Sequence, residues 1–324
     1  MSRPAVLIQA AILFAIVFSA INPASGLGAE AAKKKVLLIA GKPSHGSAEH
    51  EHNAGCTLLA KCLNESGLPI EAVVNKNGWP SDPKAFDGVA AVVMYCDGGD
   101  QHMVMDHLDE LDKLANKGVG IGAIHYGVEV PKGKAGSYFL DWMGGYFEAD
   151  WSVNPTWVAE FKEFPKHPVA NGVKPFSIRD EWYFHMRMPE NMARVTPILT
   201  AVAPASTMTR KDGPHEGNPA VRKDVADGVP QHMCWVTERP DGGRGFGFTG
   251  GHYLANWGND QSRKLGLNLI CWIAKVDVPA DGVPSKSPTA DYLMENLDTK
   301  PRMITKERIQ EQLDKARGEA AASK

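Results

Sequence analysis

The chain has only five cysteines in 324 residues, Cys56, Cys62, Cys96, Cys234 and Cys271, with no close CxxC pair. This scatter excludes a disulfide framework. Cys96 and Cys271 lie in apolar segments, so free buried thiols are expected, with a Cys56–Cys62 bridge as the alternative if geometry allows it. The fold must then rest on its core, which a chain of this length can build. Charge of either sign is not in excess: 35 basic against 38 acidic residues leave −3. That balance gives no global attraction to nucleic acid, and the aromatics do not interleave with basic patches. Several catalytic signatures are missing: no G-x-S-x-G elbow, no GxxxxGK[ST] loop and no HExxH helix. LLIAGKPSHG lacks the glycine set of a dinucleotide fingerprint.

Long apolar runs are absent after residue 29. Before it, Arg3 precedes the run Ala5 to Ile21, broken only by Gln9 and Ser19, and Pro23 and a small-residue region ending at Ala29 follow. This pattern predicts a secretory signal over 1–29, and hence an exported, periplasmic or secreted protein with no stable membrane insertion after cleavage. A retained anchor is the alternative, since about 17 residues only just reach the spanning range.

What is present is a regular alternation. VLLIAG, PIEAVVN, GVAAVVMYCDGG and GVGIGAI read as strands, separated by helices over CTLLAKCLNESG and Gln101–Lys117. Near-continuous apolar strands alternating with helices predict a parallel sheet covered on both faces. Ligands in such sheets sit beyond the carboxyl ends of the strands, so KPSHG, CDGGD and HYGVE should converge on one crevice. Residues 131–230 are rich in Gly, Pro and aromatics, with strands expected around Trp157–Phe164 and Trp182–Arg187. HMCWVTE, PDGG and RGFGFTGGHY form a hairpin signature. A helix follows over Ser262–Ala274, then a linker over Val278–Pro301 and a polar helix over Lys306–Ala322.

Eleven histidines are unevenly spread. His45, His50 and His52 share the first loop, and His125 and His252 each stand at a strand exit. Imidazole is the commonest ligand for transition metals and the commonest proton carrier near neutrality. Three nitrogens, or two with a carboxylate, suit Lewis-acid chemistry. His45, His125 and His252 are candidate members, with His50 in reserve; structural histidines bonded to backbone are the plain alternative. His102 and His107 read as residues of a solvent-facing helix. Asp180 and Glu181 precede the aromatic run of DEWYFH, as a base or a holder of sugar hydroxyls. Asp97 and Asp100 flank two glycines whose amides can cradle an anion or hydroxyl.

The His-bearing first loop, GAIHYG, HPV, DEWY and the strand ending GGH before a helix ending in Trp272 together resemble the ThuA-like (trehalose utilisation) family, over about residues 33–276. The resemblance implies an α/β fold, a flavodoxin-like or class I glutamine amidotransferase-like three-layer sandwich with a mostly parallel central sheet. In those fold relatives the corner reads G-I-C-x-G with a nucleophilic cysteine. Here His125 stands at that place, so a covalent glutaminase mechanism is not expected. The family implies carbohydrate chemistry, including 3-keto sugars, with a divalent metal (zinc, manganese, iron or nickel). By that analogy His45, His125 and His252 contact metal, and Glu181 or His50 acts as base beside His125 as a catalytic residue. Tyr126, Trp182, Tyr183 and Trp257 line the site of a small carbohydrate substrate, with Asp97 also in contact. The reaction is C2 proton abstraction next to a C3 ketone, then elimination or net hydrolysis. The alternatives are a non-catalytic carbohydrate-binding or scaffolding domain stacking sugars on Trp151, Trp157 and Trp182, or a metal-dependent hydrolase of another substrate. Residues 277–324 fall outside the resemblance, as a linker and helical tail able to serve packing or homo-oligomer formation.

Overall fold

The computed structural model describes Met1 and residues 32–318. The signal-sequence expectation over residues 1–29 therefore lies outside the described residues, apart from Met1. Among the described residues no helix is long and apolar enough to cross a membrane.

The elements run β1 (Lys34–Ala40), α1 (His52–Asn64), β2 (Ile70–Asn75), β3 (Val89–Tyr95), α2 (Leu108–Ala115), β4 (Gly120–Ile124) and α3 (Lys134–Met143). Then follow β5 (Thr156–Phe161), β6 (Phe176–Glu181), β7 (Val195–Ala201), α4 (Pro219–Ala226), β8 (Gln231–Glu238) and β9 (Arg244–Phe248). The chain ends with α5 (Asp260–Ile273), α6 (Ala290–Asn296) and α7 (Lys306–Arg317). Seven strands form one sheet in the order β2-β1-β3-β4-β9-β8-β7, and β5 pairs with β6 in a separate antiparallel pair. From β2 to β9 the strands are parallel; β8 and β7 join antiparallel.

The unbroken apolar character of β1 has a direct cause. Successive side chains of a strand point to opposite faces. Val36, Leu38 and Ala40 enter one core with residues of α1 and α5, while Leu37 and Ile39 enter the other with residues of α2 and α3. Both faces are covered, so neither tolerates polarity. Close packing at the sheet centre explains two glycines: a Cβ on Gly247 would sit inside the Trp235 indole, and one on Gly122 inside the Phe246 ring.

Several expectations need correction. The helix expected over Gln101–Lys117 is α only from Leu108 to Ala115, after 3-10 turns at Gly99–Gln101 and Met105–His107. His102, between those turns, is buried rather than solvent-facing. Its Nε2–H donates to Gly127 O (3.1 Å) and its Nδ1 accepts from Val104 N (3.0 Å), which pins the chain out of helical register. The strand expected over Trp182–Arg187 ends instead at Glu181. The linker over Val278–Pro301 contains α6, capped by Thr289 and anchored by buried Leu293. All five cysteines are free and buried. Cys56 and Cys62 lie six residues apart on α1, about 9 Å along its axis, beyond disulfide reach.

His102 also carries a pH prediction. Burial holds its pKa at about 4, against the smaller opposing pull of its bond to Gly127 O. An unfolded histidine takes up a proton near pH 6.5, so between about pH 6.5 and 4 the unfolded chain binds more protons. Stability is then lost as pH falls through that window, by at most about 1.4 kcal/mol per pH unit for this group. His102→Asn should lose less stability between pH 7 and pH 5 than the parent protein; urea titrations at both values measure this. Equal losses would show that His102 does not titrate in this way.

Candidate metal centre

The corner after β4 is a strained one. His125 takes φ +54° and opens a 3-10 turn, His125–Val128. Left-handed backbone costs a non-glycine residue about 1 kcal/mol or more. The ring is buried, and Nδ1–H donates to Thr249 O at 2.9 Å, which leaves the Nε2 lone pair facing inward. The loop after β1 brings His50, also left-handed at φ +44°. Its Nδ1–H donates to Asp97 Oδ1 at 2.6 Å, so its Nε2 likewise presents a lone pair. His252 follows β9, and Glu181 is the last residue of β6.

These four groups converge. His50 Nε2 lies 3.1 Å from His125 Nε2 and 3.1 Å from His252 Nδ1, and His125 Nε2 lies 3.2 Å from His252 Nδ1. Glu181 Oε2 is 3.2 Å from His252 Nδ1 and 3.6 Å from His125 Nε2. Between His50 and His125 the facing nitrogens are both acceptors, so no hydrogen bond can join them. Facing lone pairs at this distance repel unless a cation stands between them. A tetrahedron of donors with edges near these has its centre about 2.0 Å from each corner, which is zinc–imidazole bonding distance. His50, His125, Glu181 and His252 thus form a cluster able to chelate a metal ion, and donor chemistry and spacing both fit one.

Electrostatics agree for His125 and His50; at His252 burial lowers the pKa, but the Glu181 carboxylate beside it raises it overall. Burial, reinforced by His50 and His252, holds His125 well below the ordinary histidine range. Burial brings His50 down to about 4 despite its bond to Asp97. Both rings are neutral at pH 7, the form that binds metals. Burial pushes Asp97 up, but bonds from His50 and Ser44 with the nearby imidazoles bring it to about 2. A carboxylate on the outer nitrogen of a ligating histidine fixes its tautomer and ring orientation. Asp180, fully buried, does the equivalent for the backbone: it accepts from Gly251 N (2.7 Å), His252 N (3.2 Å) and Glu181 N (2.9 Å).

The other sequence candidates fall in different places. His45 is outside the inner group: its side chain is 42% exposed, its ring stacks on His50 at 3.6 Å, and it joins His50 and Asp97 in a second group with metal-ligand spacing. Tyr183 is buried, its hydroxyl 3.2 Å from Glu181 Oε2 and 3.3 Å from His125 Nε2. Tyr126 is half-buried, its ring against those of His50 and Tyr183. Trp182 and Trp257 offer no surface to a ligand; both are buried against Phe248. Trp157 is buried too, and Trp151 is covered by the Arg187 guanidinium, 4.0 Å from its ring.

Sequence reasoning missed Glu129 and His215. Buried Glu129 accepts from His215 Nε2 at 2.9 Å, and this bond raises the pKa of His215. The pair lines a pocket of about 550 Å³ with Gly98, Gly99, Tyr126 and Glu148. Tyr126 separates this pocket from the cluster, its ring 5.9 Å from that of His50. No local signal marks the pair, whose members lie 86 residues apart.

Residues 35–273 match the ThuA family, described as trehalose utilisation. The chain belongs to this family. Two crystal structures described as ThuA-like proteins resemble this ThuA chain in fold. One, from Bacteroides uniformis, is 16% identical with a TM-score of 0.53, covering 76% of this chain and 93% of its own. The other, from Parabacteroides merdae, is 16% identical with a TM-score of 0.50, covering 80% and 99%. Comparison with curated protein sequences gives no significant match.

Proposed function

We propose that this ThuA-family chain is a metal-assisted enzyme acting on 3-keto sugars or glycosides. The convergence of His50, His125, His252 and Glu181, whose facing lone pairs suit a cation, carries the reading. In that reading these four residues hold a divalent ion of the zinc, manganese, iron or nickel class. When bound, such an ion supplies positive charge against the oxygen anion that develops as an α-proton leaves a ketone.

The chain's own groups divide the remaining work. With Glu181 and His50 engaged as donors, the partly exposed imidazole of His45, beside them, takes the proton from C2. Tyr183, kept neutral by burial, donates to Glu181 and holds its carboxylate in place. The bond from C1 to its substituent breaks with the electron pair freed at C2, and the substituent leaves with the proton that His45 took. Water added across the new double bond returns a 3-keto sugar, for a net hydrolysis. The pocket beside Tyr126 receives the departing half, where Glu129 and His215 supply hydroxyl partners.

This reading takes 33–276 as the ThuA-like domain with a glutamine amidotransferase-like sandwich, and 1–29 as an export signal. A carbohydrate-binding domain stacking sugars on tryptophan has less support, because Trp157 and Trp182 are buried. The test is isotopic. Metal-loaded protein turning over a 3-keto glycoside in deuterium oxide should release the aglycone and leave deuterium at C2, above an enzyme-free control. Release with protium retained at C2 would overturn proton abstraction, and no release would overturn the activity.

A further inference from the structure

The loop that carries His50 is held by a residue 250 positions away. Lys300, buried and outside the ThuA match, places its Nζ among three backbone carbonyls of this loop, Ser44 O (2.7 Å), Gly46 O (2.8 Å) and Glu49 O (2.7 Å). An ammonium has three N–H donors, and these carbonyls use all three. Glu51 Oε1, fully buried, lies 3.0 Å away and neutralises the charge. Glu51 in turn accepts from Ala48 N (2.8 Å) and Asp298 N (3.0 Å), while Ile304 N donates to Ser47 Oγ (3.1 Å). The strap 298–304 and the loop 44–51 thus share one polar network.

The loop needs such support. His45, Ala48 and His50 all have left-handed backbone, φ +57°, +71° and +44°, and none is glycine. Three carbonyls of a short loop converging on one point would repel one another without a cation between them. Backbone bonds tie the loop to the segment after β9, through His50 N to His252 O (3.0 Å) and Leu254 N to Ala48 O (2.9 Å), and the His50 ring reaches Asp97 after β3. The carbonyls of Ser44, Gly46 and Glu49, on the other side of the loop, converge on Lys300.

We infer that Lys300 is a positioning residue for the metal centre: its ammonium acts as an internal cation for the loop carbonyls and thereby sets His50 Nε2 in register with His125 and His252. The planar fork of arginine does not match this cage, and methionine fills the space without the charge. The C-terminal extension is then part of the site's architecture, although among the described residues no hydrogen bond or ion pair joins it to the four donors. Reading the cluster as a metal centre is the premise for only one of the two measurements below.

The experiment uses the full chain and zinc alone. Lys300→Ala and the charge-balanced double variant K300M/E51Q are compared with the parent for zinc affinity, by competition with a chromogenic chelator, and for amide exchange over 44–51. The double variant avoids leaving Glu51 buried without a partner. Both should bind zinc about 10- to 100-fold more weakly, the range for lost supporting contacts, with faster exchange confined to the loop. Added n-propylammonium, but not n-propanol, should restore part of the affinity of Lys300→Ala, which a general packing defect would not allow. Parental affinity and exchange in the double variant would overturn the inference, and so would faster exchange spread through β1, β3 and β4. If the parent binds no zinc, the metal reading fails separately, and exchange over 44–51 alone decides the role of Lys300.

Discussion

His125→Ala is expected to lose its metal. Purified without chelator or nickel resin, the parent chain should carry about one ion, whereas the variant should fall by a factor of about 100 or more in affinity. The imidazole supplies one of four converging donors, and its departure leaves two nitrogens and a carboxylate across a void. His252→Ala should behave alike. His45→Ala is the discriminating control: the ring lies outside the inner group, stacked on His50, so metal content should survive while turnover falls. Elemental analysis with a thermal melt on each variant makes the measurement. Metal kept by folded His125→Ala would remove the centre from the mechanism, and metal lost from His45→Ala but kept by His50→Ala would exchange the roles of the two loop histidines.

Trp182→Ala is expected to cost about 3–5 kcal/mol of stability, the range for truncating a large aromatic in a packed core. Its indole packs against Phe161 and Phe248 and donates to Ile178 O at 3.2 Å. It also fills the space over Gly250, where a Cβ would collide with it, so the corner leading to His252 should loosen with it. Urea denaturation gives the magnitude. A ligand-stacking tryptophan would behave oppositely, with sugar affinity falling and the denaturation midpoint unchanged.

The parts legible in the sequence were those set by local pattern. β1, β3 and β4 read directly because burial on both faces leaves no room for polar residues, β9 read as half of a hairpin around PDGG, and strand exits in such a sheet face one crevice. The reading of Trp182 failed because β6 ends at Glu181, after which strand alternation no longer decides which way a side chain points. α3 was missed because GKAGSYFLDWMGG is bounded by glycines and reads as loop, and β7 because Pro197 interrupts it; an edge position absorbs that proline. The order of His45 and His50 was not legible at all. Both share one polar loop, and left-handed backbone held by Lys300 from the far end of the chain decides which ring turns inward.

The five free thiols serve as a distributed clock of opening. They sit in α1, just after β3, in β8 and in α5, and burial raises the pKa of each, to about 12 for Cys271. The reactive thiolate is therefore scarce while the chain is folded. Each labelled cysteine adds one mass increment, so the order in which alkylation reaches α1, β8 and α5 would trace which layer separates first, with no engineered probe.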